Sequence, residues 1–304
     1  MTQSQKSHSR KKFLIRAVDF CLALGEETKI MAILNLTPDS FSRDGLLPQI
    51  KKNPGRILNI VERLIRQGAD IIDIGGESTR PGARPVAAQE EISRIIPAVQ
   101  FLAKKIKIPI SVDTYKPLVA QRALDAGAVI VNNILGNRPN PALLRMIHRY
   151  RAAVVLMHIR GTPAVMQKNI RYRNLIPEIT AELAKSIENC LDMGMNSDKI
   201  IIDPGLGFGK TVGHNLELIN HLEKFKILKR PILIGPSRKF FIGHILGKEV
   251  DRRLMGTAAA VSASILHGAH VVRVHDVAQM HDVAVMSDAI LNPNRIQPQS
   301  RFSK

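Results

Sequence analysis

Two carboxylates and one amide end three apolar segments of the chain, and together they could bind a flat heterocycle. These side chains are Asp113, Asn132 and Asp203. A carboxylate accepts two N–H bonds and an amide both donates and accepts, so the set suits a ring with an N–C–N edge and a carbonyl group. Met157 ends a fourth segment and could cover the face of such a ring, or simply belong to the core. For a single Asp, capping of the next helix is the alternative role.

The segment Ile200–Thr211, IIIDPGLGFGKT, joins an apolar run directly to a glycine-rich loop, where backbone can come close to a ligand. Its end fits the phosphate-binding pattern G-x-x-x-x-G-K-[ST], but Pro204 stands where the first glycine belongs. Three interpretations remain open. The loop is a phosphate cradle, or it surrounds a ring-binding Asp203 with Phe208 against the ring, or it is a tight turn whose last two residues begin a helix.

A cation and an imidazole near the end of the chain could bind an anion. Arg273 and His275 are two residues apart in an apolar segment, so a strand would place both on one face. This pair suits a diphosphate group. Ser237 and Lys239 follow the preceding apolar segment, where barrel enzymes often bind phosphate. Lys239 could instead donate to a ring carbonyl or nitrogen, or be solvated.

Two polar loops could close over a substrate. The first, Asn35–Gly45, is rich in turn-forming residues, contains the aromatic Phe41, and is either a lid or disordered. Asn35 could reach a Mg²⁺–phosphate unit through its carbonyl oxygen, since Mg²⁺ keeps most of its waters and needs few protein ligands. In the second loop, Gly75–Pro85, Arg80 could meet a carboxylate of a second substrate.

These side chains require a scaffold that brings the ends of many strands together. Eight short apolar segments are typical of parallel strands covered by helices: Ile30–Asn35, Ile71–Gly75, Ile108–Asp113, Val129–Asn132, Ala153–Met157, Ile200–Asp203, Pro231–Gly235 and Val271–His275. Helical spacing appears between them; a final helix is predicted over Val277–Leu291, and Thr114 is predicted to cap a helix that ends before Gly127. The pattern predicts an α/β fold, a single-domain (β/α)₈ TIM barrel with its function on the rim at the strand ends.

The barrel domain is predicted to span residues 13–292, between a flexible basic tail (1–12) and a flexible C-terminal tail (293–304). The 304 residues carry a formal net charge of +18. The basic residues are dispersed, and with no Trp and 4% aromatic residues there is little to stack on bases, so we expect no nucleic-acid partner. The charge instead favours an anionic substrate.

The two cysteines, Cys21 and Cys190, form neither a C-x-x-C motif nor a zinc-binding spacing. This usage favours a reducing compartment, and we expect a cytoplasmic protein. No apolar run approaches the roughly 20 residues of a membrane span, and no apolar segment follows the basic N-terminus, so neither a membrane partner nor a secretory signal is expected. Exposed barrel helices often pair, and the expected assembly is a homodimer.

Taken together, the motifs resemble the dihydropteroate synthase family of pterin-binding enzymes. They follow the family's order over nearly the whole chain; each is weak alone, but the set is highly specific. The matching stretches are NLTPDSFS (35–42), DIGGESTRPG (73–82), SVDT (111–114), Asn132, MHIRGTP (157–163), DPGLGFGKT (203–211), GPSRK (235–239) with FIG (241–243), and RVHD (273–276).

The resemblance implies a transferase of folate biosynthesis that condenses 6-hydroxymethyl-7,8-dihydropterin diphosphate with p-aminobenzoate to 7,8-dihydropteroate and diphosphate, and that sulfonamides target. It places Asp113, Asn132, Asp203, Lys239 and Phe208 at the pterin; Asn35, Arg273 and His275 at the diphosphate and Mg²⁺; and Thr79, Arg80, Pro81, Phe41 and Ser237 at p-aminobenzoate. Met157 completes the expected substrate-binding set. The expected catalytic residues are Asp203, Lys239, Arg273 and His275, and the expected metal ligand is Asn35.

The expected chemistry needs no protein nucleophile. Departure of a Mg²⁺-neutralised diphosphate, aided by Arg273 and His275, would leave a cation on the methylene carbon. The ring delocalises this cation and Asp203 opposes its charge, before the amine attacks in an SN1-like substitution. The first two loops would close to exclude water. Departures from the family pattern in the first loop and at Asn133 spare these residues.

Two other functions fit parts of this pattern. A pterin-binding methyltransferase that passes a methyl group from a methyl-folate to a corrinoid protein shares the Asp and Asn residues at the ring. It does not need the pair Arg273 and His275 or the first loop. An inactive homologue that binds RNA is suggested only by the net charge, and every expected site position is filled.

Overall fold

The computed structural model describes residues 10–37, 55–80 and 82–295. Within these ranges, an antiparallel hairpin precedes eight parallel strands. The hairpin consists of β1 (Phe13–Ala17) and β2 (Phe20–Leu24). The parallel strands are β3 (Lys29–Asn35), β4 (Ile71–Gly75), β5 (Ile110–Asp113), β6 (Ile130–Asn133), β7 (Ala153–Met157), β8 (Ile200–Asp203), β9 (Leu233–Ile234) and β10 (Val271–Val274).

The eight parallel strands form a closed barrel. Their order is β8-β7-β6-β5-β4-β3-β10-β9, and a parallel bridge between Ile202 and Ile232 joins the two ends of this sheet. This arrangement confirms the predicted (β/α)₈ barrel and all eight predicted strands. Strand β9 begins later than predicted, because Pro231 has no N–H to donate and Ile232 N donates to His270 Nδ1 at 3.1 Å instead of to a strand. The carbonyl oxygen of Pro231 still accepts a bond from Ile202 N at 3.0 Å.

Helices surround the barrel. Those in the described residues are α1 (Gly55–Arg66), α2 (Ala88–Ala103), α3 (Pro117–Asp125), α4 (Pro141–Arg149), α5 (Leu175–Asp192), α6 (Val212–Asn220), α7 (Phe240–Leu246), α8 (Leu254–Leu266) and α9 (Val277–Leu291). The final helix is confirmed. The predicted cap Thr114 is wrong, because α3 begins at Pro117 and Thr114 Oγ1 instead accepts from Lys116 N at 3.3 Å, in the turn before the helix. Across the part of the chain described here, no helix is both long and apolar enough to cross a membrane.

In most of the parallel strands, successive residues belong to two different apolar clusters. In β3, Ile30 and Ala32 join the cluster beneath the helices, whereas Met31 lies in the cluster inside the barrel. The inner cluster continues into the hairpin through Ile15 and Leu24. The hairpin therefore closes the barrel at the amino ends of its strands and leaves the carboxyl ends for a site.

The hairpin is not among the predicted elements. Its turn contains no glycine or asparagine, and Val18 adopts φ = 54°, which a β-branched residue rarely does. A contact distant in sequence fixes this turn, since Val18 N donates to the carbonyl oxygen of Arg151 at 3.1 Å. Such a contact leaves no local signal in the sequence.

The basic N-terminal segment enters the folded domain at Arg10. This side chain is buried and donates through Nη1 to Thr28 Oγ1 and to the carbonyl oxygen of Ala269, both at 2.6 Å, and through Nη2 to Asp288 Oδ1 at 2.6 Å. Arg10 therefore packs against the folded domain ahead of the predicted start at residue 13, and residues 1–9 lie outside the described part. At the other end, a 3₁₀ turn (Pro293–Arg295) follows α9, and residues 296–304 are not described.

Candidate active site

Strand register places three of the candidate residues side by side on the barrel rim, with Gly75 among them. Asn35 is paired with Gly75, Gly75 with Asp113, and Asp113 with Asn132, so adjacent strands present them in a row. The neighbouring side chains lie close to Gly75, since a Cβ there would be 3.4 Å from Asn35 Oδ1 and from Asp113 Cβ. The carboxyl ends of parallel strands meet on this rim, as the barrel prediction required.

A buried ion network joins opposite sides of the rim. Arg273 on β10 donates from Nε to Asp73 Oδ2 and from Nη2 to Asp113 Oδ2, both at 2.6 Å. Asn132 Nδ2 also donates to Asp73 Oδ2, at 3.0 Å. Burial raises the pKa of Asp113, and the guanidinium of Arg273 opposes this shift. Arg273 therefore holds the two carboxylates in place.

Asp73 is absent from the predicted site although it lies at the centre of this network. It is completely buried in β4. The signal in the sequence is a single acid inside the apolar run Ile71–Gly75, because a buried carboxylate needs a cation or several donors. The identity of that cation could not be read from the sequence, since Arg273 is 200 residues away.

Asp203 lies at the end of β8, followed by the glycine-rich loop. Its Oδ1 accepts from Gly205 N at 2.7 Å, and burial raises its pKa to about 6. Gly205 has φ = 74°, and a Cβ there would lie 1.9 Å from the carbonyl oxygen of His158, so no other residue fits.

The loop's own contacts argue against the phosphate-cradle interpretation. Three of its N–H groups point to protein acceptors: Gly205 N to Asp203, Gly207 N to Asn215 Oδ1 at 2.6 Å, and Phe208 N to Gly205 O at 3.2 Å. A phosphate cradle needs such groups directed at the ligand. The loop therefore shapes the site around Asp203.

Lys239 lies between the carboxylates and the loop. Its Nζ is 4.1 Å from the centroid of the Phe208 ring, in a cation–π contact. The side chain keeps part of its surface exposed, but the surrounding groups bury the ammonium group enough to lower its pKa to about 8. Phe208 and Met157 share one apolar cluster, so the structure brings both predicted ring contacts together.

Ser237 and His275 were predicted to meet different substrates, but the structure pairs them. Ser237 Oγ lies 2.9 Å from His275 Nδ1 and accepts a bond from His275 N at 3.2 Å. Burial, followed by the neighbouring charge of Arg273, lowers the pKa of His275 to about 3. The imidazole is therefore neutral at physiological pH and acts as a hydrogen-bonding group.

Behind the glycine-rich loop lies a buried group of polar side chains that the sequence did not reveal. Lys210 Nζ donates to Phe208 O and lies 3.0 Å from His158 Nδ1, and His158 Nε2 lies 3.3 Å from Glu182 Oε2. Burial lowers the pKa of Lys210 to about 7 and that of His158 to about 4. Thr211 caps α6, because its Oγ1 accepts from His214 N at 3.1 Å. The structural role expected at this helix start is confirmed for Thr211.

The second loop is partly described. Thr79 is half-buried and Arg80 is exposed, in a turn in which Ala83 N donates to Arg80 O at 3.1 Å. Pro81 and Phe41 lie outside the described residues.

Asn35 is the one predicted metal ligand. Among the described residues, no three His, Cys, Asp or Glu side chains could together hold a metal ion. An amide oxygen at the rim suits Mg²⁺ that is bound mainly by water and substrate phosphate, since this ion needs few protein ligands.

Comparisons with known proteins agree with this geometry. Residues 31–275 match the family model of pterin binding enzymes. The dihydropteroate synthase of Bacillus subtilis (strain 168) is 43% identical over 271 residues, 89% of this chain and 91% of that protein. The Yersinia pestis dihydropteroate synthase, solved with a sulfonamide drug, has a TM-score of 0.85 and 35% identity, covering 91% of this chain and 99% of that one. The Xanthomonas albilineans dihydropteroate synthase, solved with 4-aminobenzoic acid, has a TM-score of 0.84 and 34% identity, covering 94% and 100%. The chain belongs to the dihydropteroate synthase family, a family of pterin-binding transferases.

Proposed function

We propose that the enzyme condenses 6-hydroxymethyl-7,8-dihydropterin diphosphate with p-aminobenzoate in folate biosynthesis, by an SN1-like substitution at the residues described above. The observation that carries this proposal is the buried network in which Arg273 holds Asp73 and Asp113 at the barrel mouth. Among the described residues, Asp113 Oδ1 has no hydrogen-bond partner. A buried carboxylate oxygen needs donors, and the N–H groups of a pterin edge would supply them.

The pterin would lie across the strand ends. Asp113 Oδ1 would accept from its N–C–N edge, and Asn132 and Lys239 would bond to its ring nitrogens and carbonyl. The ring face would contact Phe208 and Met157, which already form one apolar surface. Arg273 would contribute its charge while holding the two carboxylates in position.

The diphosphate would meet His275. Ser237 Oγ accepts from His275 N, so its own proton is available for His275 Nδ1, which leaves the imidazole proton on Nε2. Nε2 would then donate to a leaving oxygen. Because the imidazole stays neutral over the physiological pH range, this donation does not change with pH in that range.

The reaction would break the C–O bond between the methylene carbon and diphosphate, and the leaving oxygen keeps the electron pair. The electron-rich ring delocalises the resulting cation, and the carboxylate of Asp203 opposes its charge. The amine nitrogen of p-aminobenzoate then forms the C–N bond and loses one proton to solvent. Asp203 is suited to this role because it is buried at the rim.

Mg²⁺ would be held by Asn35 together with the substrate phosphates. When bound, it would neutralise charge on the leaving diphosphate. The donor chemistry fits, since an amide oxygen at the base of the first loop is a ligand that Mg²⁺ accepts. Thr79, Arg80 and Ser237, with Phe41 and Pro81, would border p-aminobenzoate, and sulfonamides would compete there.

We also propose that the enzyme is a cytoplasmic homodimer. Both cysteines are free thiols, which fits a reducing compartment. The neighbouring helices α7, α8 and α9 carry large exposed apolar side chains: Phe240, Ile245, Leu246, Met255, Leu266, Val285, Met286 and Ile290. Such a surface marks an interface, and a two-fold dimer is the commonest way to cover it. Sedimentation velocity should show a dimer that Met255→Glu converts to a monomer.

Diphosphate release tests the proposed reaction directly. Purified enzyme with Mg²⁺ and the pterin diphosphate should release diphosphate on addition of p-aminobenzoate, with stoichiometric formation of 7,8-dihydropteroate. Calorimetry should show that p-aminobenzoate binds only after the pterin diphosphate or with diphosphate present. Binding of neither substrate would exclude the proposal, and methyl transfer from a methyl-folate instead would favour the methyltransferase alternative.

A further inference from the structure

The side chain of Glu77 holds together the two ends of the second loop, Gly75–Pro85. Its Oε1 accepts from the Tyr115 hydroxyl at 2.9 Å, and its Oε2 accepts from Val86 N at 3.0 Å and from Lys116 Nζ. The side chain is 7% exposed. One carboxylate thus receives three donors, of which two come from the segment after β5.

The contact with Val86 joins the two ends of the loop. Glu77 lies at its start and Val86 nine positions later, so the carboxylate spans the loop from inside. Arg94 Nη1 also donates to Gly76 O at 2.7 Å. The base is therefore fixed, while Arg80 in the middle of the loop is exposed.

The donors connect this loop to the strand that carries a ring-binding carboxylate. Tyr115 and Lys116 follow Asp113 by two and three residues. Lys116 Nζ also contacts Glu91 Oε2 at 2.5 Å, and Glu91 is buried, so one ammonium group serves two carboxylates. Each carboxylate would be costly to bury without a cation. The shared ammonium group therefore favours the one arrangement of the loop base in which it contacts both.

We propose that Glu77 is a positioning residue for the second substrate, which holds Thr79 and Arg80 in register with the strand that bears Asp113. This inference rests on the proposed function, in which these two residues border p-aminobenzoate. Glu77 itself touches neither substrate and acts through the loop.

The test compares two amines in the same enzyme. p-Aminobenzoate has the carboxylate that the loop would meet, and aniline lacks it. In Glu77→Gln, one acceptor oxygen becomes an NH₂ group that faces other donors, so the loop base shifts. Since a misplacement of about 1 Å can cost about 10²-fold, we expect the KM for p-aminobenzoate to rise roughly tenfold or more. The kcat/KM for aniline should change less than about twofold, so the preference for p-aminobenzoate falls.

Two further variants keep the test decisive. Tyr115→Phe removes one donor and should give a smaller shift in the same direction, even where Glu77→Gln fails to fold. Tyr150→Phe is the matched control, because the Tyr150 hydroxyl donates to Asp125 Oδ1 on the protein surface and its loss should leave both amines unaffected. The dissociation constant of the pterin diphosphate should stay within about twofold of the wild-type value in all three.

A lowered melting temperature with an unchanged preference between the two amines would show that Glu77 only stabilises the fold, and would overturn the inference. Equal losses for both amines would overturn it as well. A wild-type enzyme that releases no diphosphate with p-aminobenzoate would instead refute the proposed function, which distinguishes the two failures.

Discussion

The two ends of the barrel interior are built from the same strands but have opposite chemistry. Residues two apart on a strand point to the same side, so each strand gives the interior a lower and an upper residue. The lower ones are mainly apolar, and five of them pack with the hairpin: Ile71, Ile130, Val155, Ile201 and Val271. The upper ones are mainly polar or charged and form the candidate active site: Asp73, Asn132, Met157, Asp203 and Arg273.

This difference separates stability from function along each strand. The lower layer is stabilised by burial of apolar surface. The upper layer buries charges, which are expensive to remove from water and persist only when they are paired. Along β8, for example, apolar Ile201 in the lower layer and charged Asp203 in the upper layer are only two residues apart. Substitutions in the two layers should therefore have distinguishable effects.

Arg273→Met is expected to have the largest effect on stability and activity together. The substitution leaves Asp73 and Asp113 buried beside each other without their cation, and loss of one partner in a buried ion pair costs about 3–5 kcal/mol. Diphosphate release should also fall to the detection limit. Urea unfolding and the release assay measure the two effects. Arg16→Met is the control, since the Arg16–Asp198 pair is largely exposed and such a pair contributes about 0–1 kcal/mol. Equal losses from both variants would contradict the account.

Ile201→Ala should reduce stability without changing the chemistry. Removing a buried isoleucine side chain costs about 2–5 kcal/mol through lost burial and the resulting cavity. The turnover number per folded molecule should remain within about twofold of wild type at a temperature where the variant is folded. A large fall in turnover under those conditions would show that the lower layer also shapes the site.

Arg10→Met tests whether charge at the lower end serves stability alone. Arg10 makes charge-assisted bonds to Asp288 and Thr28, and bonds to charged groups contribute about 1.5–3 kcal/mol. The free energy of unfolding should fall by a value in this range, with unchanged KM values for both substrates. Asp288→Asn should give a similar or smaller loss, and altered KM values in either variant would argue against this separation.

The upper layer should also make activity and stability depend on pH. Asp203 has a pKa of about 6 and must be ionised, and so must Asp113, whose pKa burial also raises. Lys239 has a pKa of about 8 and must be protonated, so kcat/KM should fall as the pH drops towards 6 and again above about 8. Since burial raises the pKa of Asp203 above that of the unfolded chain, the folded state binds more protons between about 4 and 6. This group therefore makes the protein more stable as the pH falls through that interval, while activity decreases. A pH–rate profile that is flat from 5 to 9 would contradict the assignment.

The strands are predicted well because each is a continuous apolar run, a signal that lies in the local sequence. The sequence also places Asp113, Asn132 and Asp203 at strand ends, where register then brings the first two together. The partners of Arg273 were not predictable, since Asp73 and Asp113 are 200 and 160 residues away. Lys210 and His158 meet across 52 residues for the same reason.

The hairpin and Arg10 show a different limit. The turn at Val18 and the burial of a basic residue both go against local preference, and contacts with the finished barrel compensate for them. The N-terminal segment is therefore the part of the fold that the local sequence predicts least well.

The most direct test of the account is a single-turnover measurement on Asp203→Asn. Asparagine keeps an oxygen for the N–H of Gly205 but removes the charge that opposes the developing cation. Loss of such electrostatic stabilisation typically costs about 10²–10³-fold in rate, and we expect diphosphate release to slow by that factor. The dissociation constant of the pterin diphosphate, measured by calorimetry, should change by no more than about tenfold, the lower end of what one charge-assisted hydrogen bond contributes. Near-full turnover with unchanged substrate affinities would contradict the role given to Asp203.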